Sequence, residues 1–437
     1  MIYRKNRYWD PLYGRSELSE FEESLLRTPE IQRLRYIRMC NINSMLVTGA
    51  SEISRFEHSL GVLRLAKEWI EANGLTDVEA RDFVAAALLH DFLTGPFGHS
   101  FQYILEDNRA GGFLHDDIHH GYKSQFHQAF QAKESFAGYP FKSQNVLGSR
   151  WPIVADIVKG KGSLGLLISG SMDLDNIDNV VRLAFHVGIT DEDIGDIAIR
   201  LVRSLHPSNS GLSIPDSSVP LIETWQLLRH KLYNLLLLDW AEFSAKGMLT
   251  KALELAVGAK LVTEEHWILT DDELLEFLVE NATGEHQDIS ELVRRVRVGD
   301  LYQPLLLVRS SATSKYEHLA KLEAKQELEA TLSARLRSIT KSAAKLFVHY
   351  ILDKKKTDRA VHVTVTPQNR KITIGTDSNS LLVGVFLSKP ISSQFQDAVS
   401  NAIYSVLHEH GIAELTPIDD PMGNRSPAAA TPQLRLL

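Results

Sequence analysis

A single cysteine, Cys40, among 437 residues excludes an internal disulfide and any zinc site built on several thiolates, so a metal here would need histidine and carboxylate ligands. Long apolar runs are also missing. The richest, "NLLLLDWA", is far too short to cross a bilayer, and "MIYRKNRYWD" at the start lacks the apolar segment of a secretory signal. A soluble cytoplasmic protein without membrane contacts is expected. There is no basic excess either: the net charge is -8, which argues against a generally nucleic-acid-binding surface. What is present is apolar mass, 44% hydrophobic residues, enough for a large core or for a core plus a smaller lobe.

Seventeen histidines are more than expected, and many fall between residues 58 and 127. "RFEHSLGVLRLAKEWIEANG" has helical spacing of Leu60, Leu63 and Ile70, puts His58 in its first turn and stops at Asn73-Gly74. "TDVEARDFVAAALLHD" opens with Thr76 and Glu79 in capping-box spacing and predicts a helix with His90 and Asp91 on its last turn. In "DLDNIDNVVRLAFHVGI" the stripe is Leu174, Ile177, Val181 and Ala184, with Asp175 and Asp178 off it. If three helices brought His58, His90, Asp91 and Asp175 together, two imidazoles and two carboxylates would suit Mn, Fe, Co, Ni or Zn better than Ca. Open positions would remain for water and a phosphate oxygen, the requirements for hydrolysing a phosphate ester near neutral pH. A helix ending at His90-Asp91 would let the pair face a cleft while its body stays buried.

The chain reads helical to about residue 350, including a charged segment, "AKLEAKQELEATLSARLRSITK", of a solvated or packing helix. "AVHVTVTPQNRKITIGTD" and "LLVGVFLSK" then alternate in the β manner, and "SSQFQDAVSNAIYSVLHEHG" is again helical. The expected organisation is mainly α: a helical core over 1–350, a small C-terminal α/β lobe over 355–412, and a tail over 416–437 with the composition of disorder.

The ordered set "SRFEHSLGV", "LLHDFLTGPFGHSF" and "DLDNIDNVVRLAFHVGI", preceded by "DPLYGRSEL" and "RTPEIQRLRYIRM" and followed by "RHKLYNLLLLD", resembles the HD-domain deoxynucleoside triphosphate triphosphohydrolases over roughly residues 8–255. The resemblance implies an HD-type helical core, a dNTP substrate, a homo-oligomer and one divalent ion, Mg included. It implies His58, His90, Asp91 and Asp175 as metal ligands, with Asp173 and Asp178 capping or orienting. It makes Arg55 a phosphate or base contact, Tyr233 a wall beside the deoxyribose, and His99 a proton donor to the leaving oxygen.

The departures are specific. Where the family has a histidine between the His-Asp pair and Gly-Pro, this chain has Thr94, which cannot serve as an acid or base at pH 7. The acid three residues after His99 is Gln102. A later family histidine corresponds to His120, although its following Glu is Gly121. The glutamine near the sugar is Met39, and the phosphate-binding lysine and the sugar-side tyrosine are Asn176 and Asn179. Three readings follow: a dNTPase with an altered relay through His99 or His120; an HD phosphohydrolase for another nucleotide or a nucleic-acid phosphate, with single-stranded nucleic acid as a further candidate partner; or a non-catalytic nucleotide-binding module.

Overall fold

The computed structural model describes residues 6–40, 49, 52–107, 142–170, 172–189, 193–208, 211–319, 321–353, 355, 357–377 and 379–418. The fold is mainly α, as expected. Three helices organise its centre. Arg55–Asn73 starts where the Ser54 side chain accepts from the Glu57 amide and ends on Gly74, whose φ of 73° needs no Cβ penalty. Asp77–Leu89 has the expected capping box of Thr76 and Glu79, with His90 as its C-cap, so His90 and Asp91 lie just past the last turn. Leu174–Val187 starts at Asp173, whose carboxylate accepts from the Asn176 amide, and stops at left-handed Gly188.

Packing explains why these helices stay where they are. Every residue from Asp82 to Leu89 is buried, and the alanines at 85–87 let neighbouring helices approach closely. Phe56, Val62, Leu63, Leu65 and Trp69 face the same core, each large apolar side chain contributing roughly 1.5–3 kcal/mol on burial. Gly61 is required by space: a Cβ there would collide with the guanidinium of Arg182 and the carboxylate of Asp178.

Strands among the described residues form three sheets. Strands β1 (Asn6–Asp10) and β2 (Gly14–Leu18) make an antiparallel hairpin. Strands β3 (His206–Ser208), β4 (Gly211–Pro215), β7 (Val361–Thr366) and β8 (Arg370–Ile374) form the second sheet in that order, with β4 and β7 parallel. The third sheet runs β10-β5-β9-β6, from β10 (Leu415–Pro417), β5 (Gln303–Ser310), β9 (Leu381–Leu387) and β6 (Leu346–Leu352), all antiparallel.

This topology draws the division of the chain differently from the 1–350 and 355–412 expectation. The 361–374 hairpin pairs with the strand at 211–215, inside the part expected to be mostly helical. The third sheet draws β5 and β6 from before residue 355. Thr416 and Pro417, assigned to the tail, pair with β5, while residues 419–437 lie outside the described residues. The period of two shares the third sheet between two cores: Phe347, Ile351, Leu382 and Phe386 join the main core, whereas Val348, Tyr350, Val383 and Val385 face the helices Leu322–Thr340 and Gln396–Glu409. The charged 322–340 segment is therefore a packing helix, burying Leu328, Leu332 and Leu336.

Candidate metal centre

Three helix ends meet at one point. His58 lies in the first turn of its helix, Asp175 in the first turn of Leu174–Val187, and His90 caps the C-terminus of Asp77–Leu89. The His58 Nε2 is 2.9 Å from Asp175 Oδ1 and 3.2 Å from His90 Nε2, and His90 Nε2 is 3.9 Å from Asp175 Oδ1. Ligand bonds of about 2.1 Å place neighbouring donor atoms about 3–3.4 Å apart, so the group fits a single ion. The far side of each imidazole is already fixed. His90 Nδ1 donates to its own helix at Ala87 O, 2.8 Å away, and His58 Nδ1 donates to Asp178 Oδ2 at 2.7 Å, leaving both Nε2 atoms directed at the centre.

Asp178 orients the His58 imidazole from the same helix as Asp175. Set off the apolar stripe, it is nonetheless fully buried, because its charge is matched there. Arg182 Nε and Nη2 reach its two oxygens at 2.9 and 3.0 Å, and the same guanidinium contacts Glu57 at 2.6 Å and Asp10 at 3.0 Å. Burial raises the Asp178 carboxyl, but Arg182 and His58 outweigh it and hold it near 2. Burial also works against a charged His58, yet the hydrogen bonds from Asp175 and Asp178 overcome it and raise the imidazole to about 10. A proton and a metal ion would compete for the same Nε2.

Asp91 stands beside this group and outside its tight cluster. Its Oδ2 is 3.8 Å from His90 Nε2 and accepts from Arg55 Nη1, while its Oδ1 accepts from Thr94 Oγ1 at 3.0 Å. Against the opposing effect of burial, Arg55, His90 and His58 keep this carboxylate well below its ordinary range. Arg55, expected to face a nucleotide, is thus paired with Asp91 here. Thr94 is 1% exposed, and its carbonyl accepts from Arg33 at 2.7 Å, so the position where the family has its histidine is packed into the wall and orients Asp91. Asp173 caps the helix, and burial together with the Asp175 charge raises its carboxyl to about 7.

A cavity of about 680 Å³ opens on this group, a size suited to a nucleotide. His90, Asp91, Asp175, Arg55, His99 and Tyr233 all line it. His99 Nδ1 pairs with Gln102 Oε1 at 2.9 Å, and its ring stacks on Tyr103. Tyr233 carries the Arg229 guanidinium 4.5 Å over its ring and reaches Asn179 Oδ1 at 3.4 Å. Cys40 also lines the cavity, with its thiol pushed up to about 12 by burial, which keeps it protonated at neutral pH. His120 lies outside the described residues. Sequence reasoning missed Arg229 and Arg359, which line the cavity from the long Val219–Leu238 helix and from the segment before β7. Arg229 had a local signal, one turn before Tyr233; Arg359 had none.

Residues 55–136 match the HD domain family model. An uncharacterized Bacillus subtilis protein, YwfO, is 29% identical over 256 residues, covering 56% of this chain and 54% of that protein. The deoxynucleoside triphosphate triphosphohydrolase SAMHD1 of Homo sapiens is 40% identical over 99 residues, 21% of this chain and 16% of its own, and the Danio rerio protein of that name is 29% identical over 213 residues, 41% of this chain and 33% of its own. The chain spans about half the length, or less, of these relatives. No helix among the described residues is long and apolar enough to cross a membrane.

Proposed function

We propose that this HD-domain protein is a metal-dependent phosphohydrolase acting on deoxynucleoside triphosphates and releasing triphosphate whole. The observation that carries this reading is the convergence of His58, His90 and Asp175, with Asp91 beside them, on a cavity of nucleotide size. Similarity to the triphosphohydrolases supports the substrate class. A divalent ion bound there supplies positive charge against the phosphate and acidifies water. The chain's own residues do the rest. Asp178 and the Ala87 carbonyl hold the two imidazoles in the tautomer that presents Nε2. Arg55 is placed to exchange its Asp91 contact for a phosphate oxygen. Tyr233 packs on the sugar, and His99 donates the proton to the leaving oxygen, a contribution of typically 10²- to 10⁴-fold.

Incubating the metal-loaded chain with dNTPs tests the reading. Deoxynucleoside plus triphosphate is expected, and monophosphate plus pyrophosphate would overturn the triphosphohydrolase assignment. One observation favours a second reading, hydrolysis of another nucleotide or of a nucleic-acid phosphate: Thr94 is buried where the family has a histidine. Turnover of monophosphates or single strands with none of dNTPs would select it.

A further inference from the structure

The lining of the same cavity contains a buried cation, Arg229, that no carboxylate among the described residues neutralises. Arg229 is 5% exposed, yet its Nε and Nη1 have no hydrogen-bond partner among the described residues, and its Nη2 makes a long 3.5 Å contact with the Lys355 carbonyl. Its guanidinium lies over the rings of Tyr233 and Trp225. Aromatic faces hold such a group in orientation but offset little of the cost of removing its charge from water. The other two buried arginines among the described residues are satisfied: Arg182 meets three carboxylates and Arg33 meets four backbone carbonyls.

A second guanidinium sits alongside. The 357–359 segment is fastened to the Val219–Leu238 helix by Gln226 Nε2, which donates to the Arg359 carbonyl at 2.8 Å, and by His230 with Asp358 at 2.7 Å. From there Arg359 reaches back to the centre, with Nη1 3.2 Å from Asn176 Oδ1 and Nη2 3.4 Å from the Gly170 carbonyl. Asn176 directly follows Asp175, so the Arg359 charge reaches a residue adjoining the metal group. Both arginines line the one cavity. Two forked donors in the cavity that holds the metal group suit a chain of phosphates, one end near the metal ligands and the other at the guanidiniums.

Resting on the phosphohydrolase reading, we propose that Arg229 and Arg359 are the residues that hold the distal phosphates of a nucleoside triphosphate, Arg359 being supplied from beyond the segment that matches the HD domain. Calorimetric titration of the metal-free full chain with inorganic triphosphate reads this independently of hydrolysis. Wild type is expected to bind triphosphate more tightly than orthophosphate. Arg229→Gln and Arg359→Gln should each weaken triphosphate binding about tenfold or more, Arg229→Lys should lose less, and Arg370→Gln on the exposed face of β8 should change nothing. If Arg229→Gln fails to fold, the partly exposed Arg359→Gln decides alone. Wild-type affinity in the glutamine variants, absence of triphosphate binding by wild type, or tighter, arginine-dependent binding of a single-stranded oligonucleotide would each overturn the proposal. Absence of turnover with triphosphate binding intact would instead count against the hydrolase reading alone.

Discussion

The two walls of the cavity are built on opposite principles. On the wall formed by the Arg55–Asn73, Asp77–Leu89 and Leu174–Val187 helices, each charged group described has a partner within the chain, through the relay from His58 to Asp178 to Arg182 to Glu57 and Asp10. On the part of the lining supplied by the Val219–Leu238 helix, Arg229 is buried with two nitrogens unmatched among the described residues. A closed network fixes geometry before any ligand arrives, which metal binding needs because its bond lengths tolerate little error. An open charge is balanced only when an anion enters, and that suits a substrate that must also leave.

Four experiments press on this contrast, taken from the largest expected effect. Replacing both His90 and Asp91 by Ala removes donors from the rigid wall, so metal content should fall from about one ion per chain to nearly none with the circular dichroism unchanged; wild-type metal content in the double variant would break the assignment. Asp178→Asn keeps the shape but frees Arg182 and the His58 tautomer. Metal affinity is then expected to drop about 10–100-fold, and chemical denaturation should reveal a loss of roughly 3–5 kcal/mol from the uncompensated buried charge.

Acidity provides the third experiment. The His58 imidazole is raised from 6.5 to about 10 in the folded, metal-free chain, so its contribution to stability is complete below pH 6.5 and is lost as pH rises towards 10. Melting curves of the metal-free protein should fall across that window, and a saturating divalent ion should flatten the fall by replacing the proton. A flat metal-free profile would contradict the relay. The smallest effect expected is that of Thr94→Val, which deletes one hydrogen bond to Asp91 and should cost about 0.5–1.5 kcal/mol in melting experiments with catalysis reduced only modestly. A collapse of activity in that variant would mean that Thr94 touches substrate.

Patterns local in the chain were legible without coordinates. The capping box of Thr76 and Glu79, the stop at Gly74 and the stripe of Leu174, Ile177, Val181 and Ala184 each depend on residues within a few positions of one another, and each forms as read. The histidines and carboxylates that meet could likewise be picked out, since their helices and motif order were visible. Other features depend on contacts between distant residues. Strands 211–215 and 303–310 went unread because they pair with segments over 70 residues away, at 361–366 and 381–387. Asp178, expected only to cap or orient, gave no hint of its charge network, because one helix's periodicity carries no information about Asp10 and Glu57, which complete it through Arg182. The sequence by itself determined the helices, their caps and the donor types at the metal group, because these follow from backbone hydrogen bonding and from the side chains present. Tertiary structure alone decided that Asp91 pairs with Arg55, that Thr94 is packed into the wall, and that Arg229 and Arg359 line the cavity shared with the metal group, because burial and charge balance are set by whichever groups the fold brings into contact.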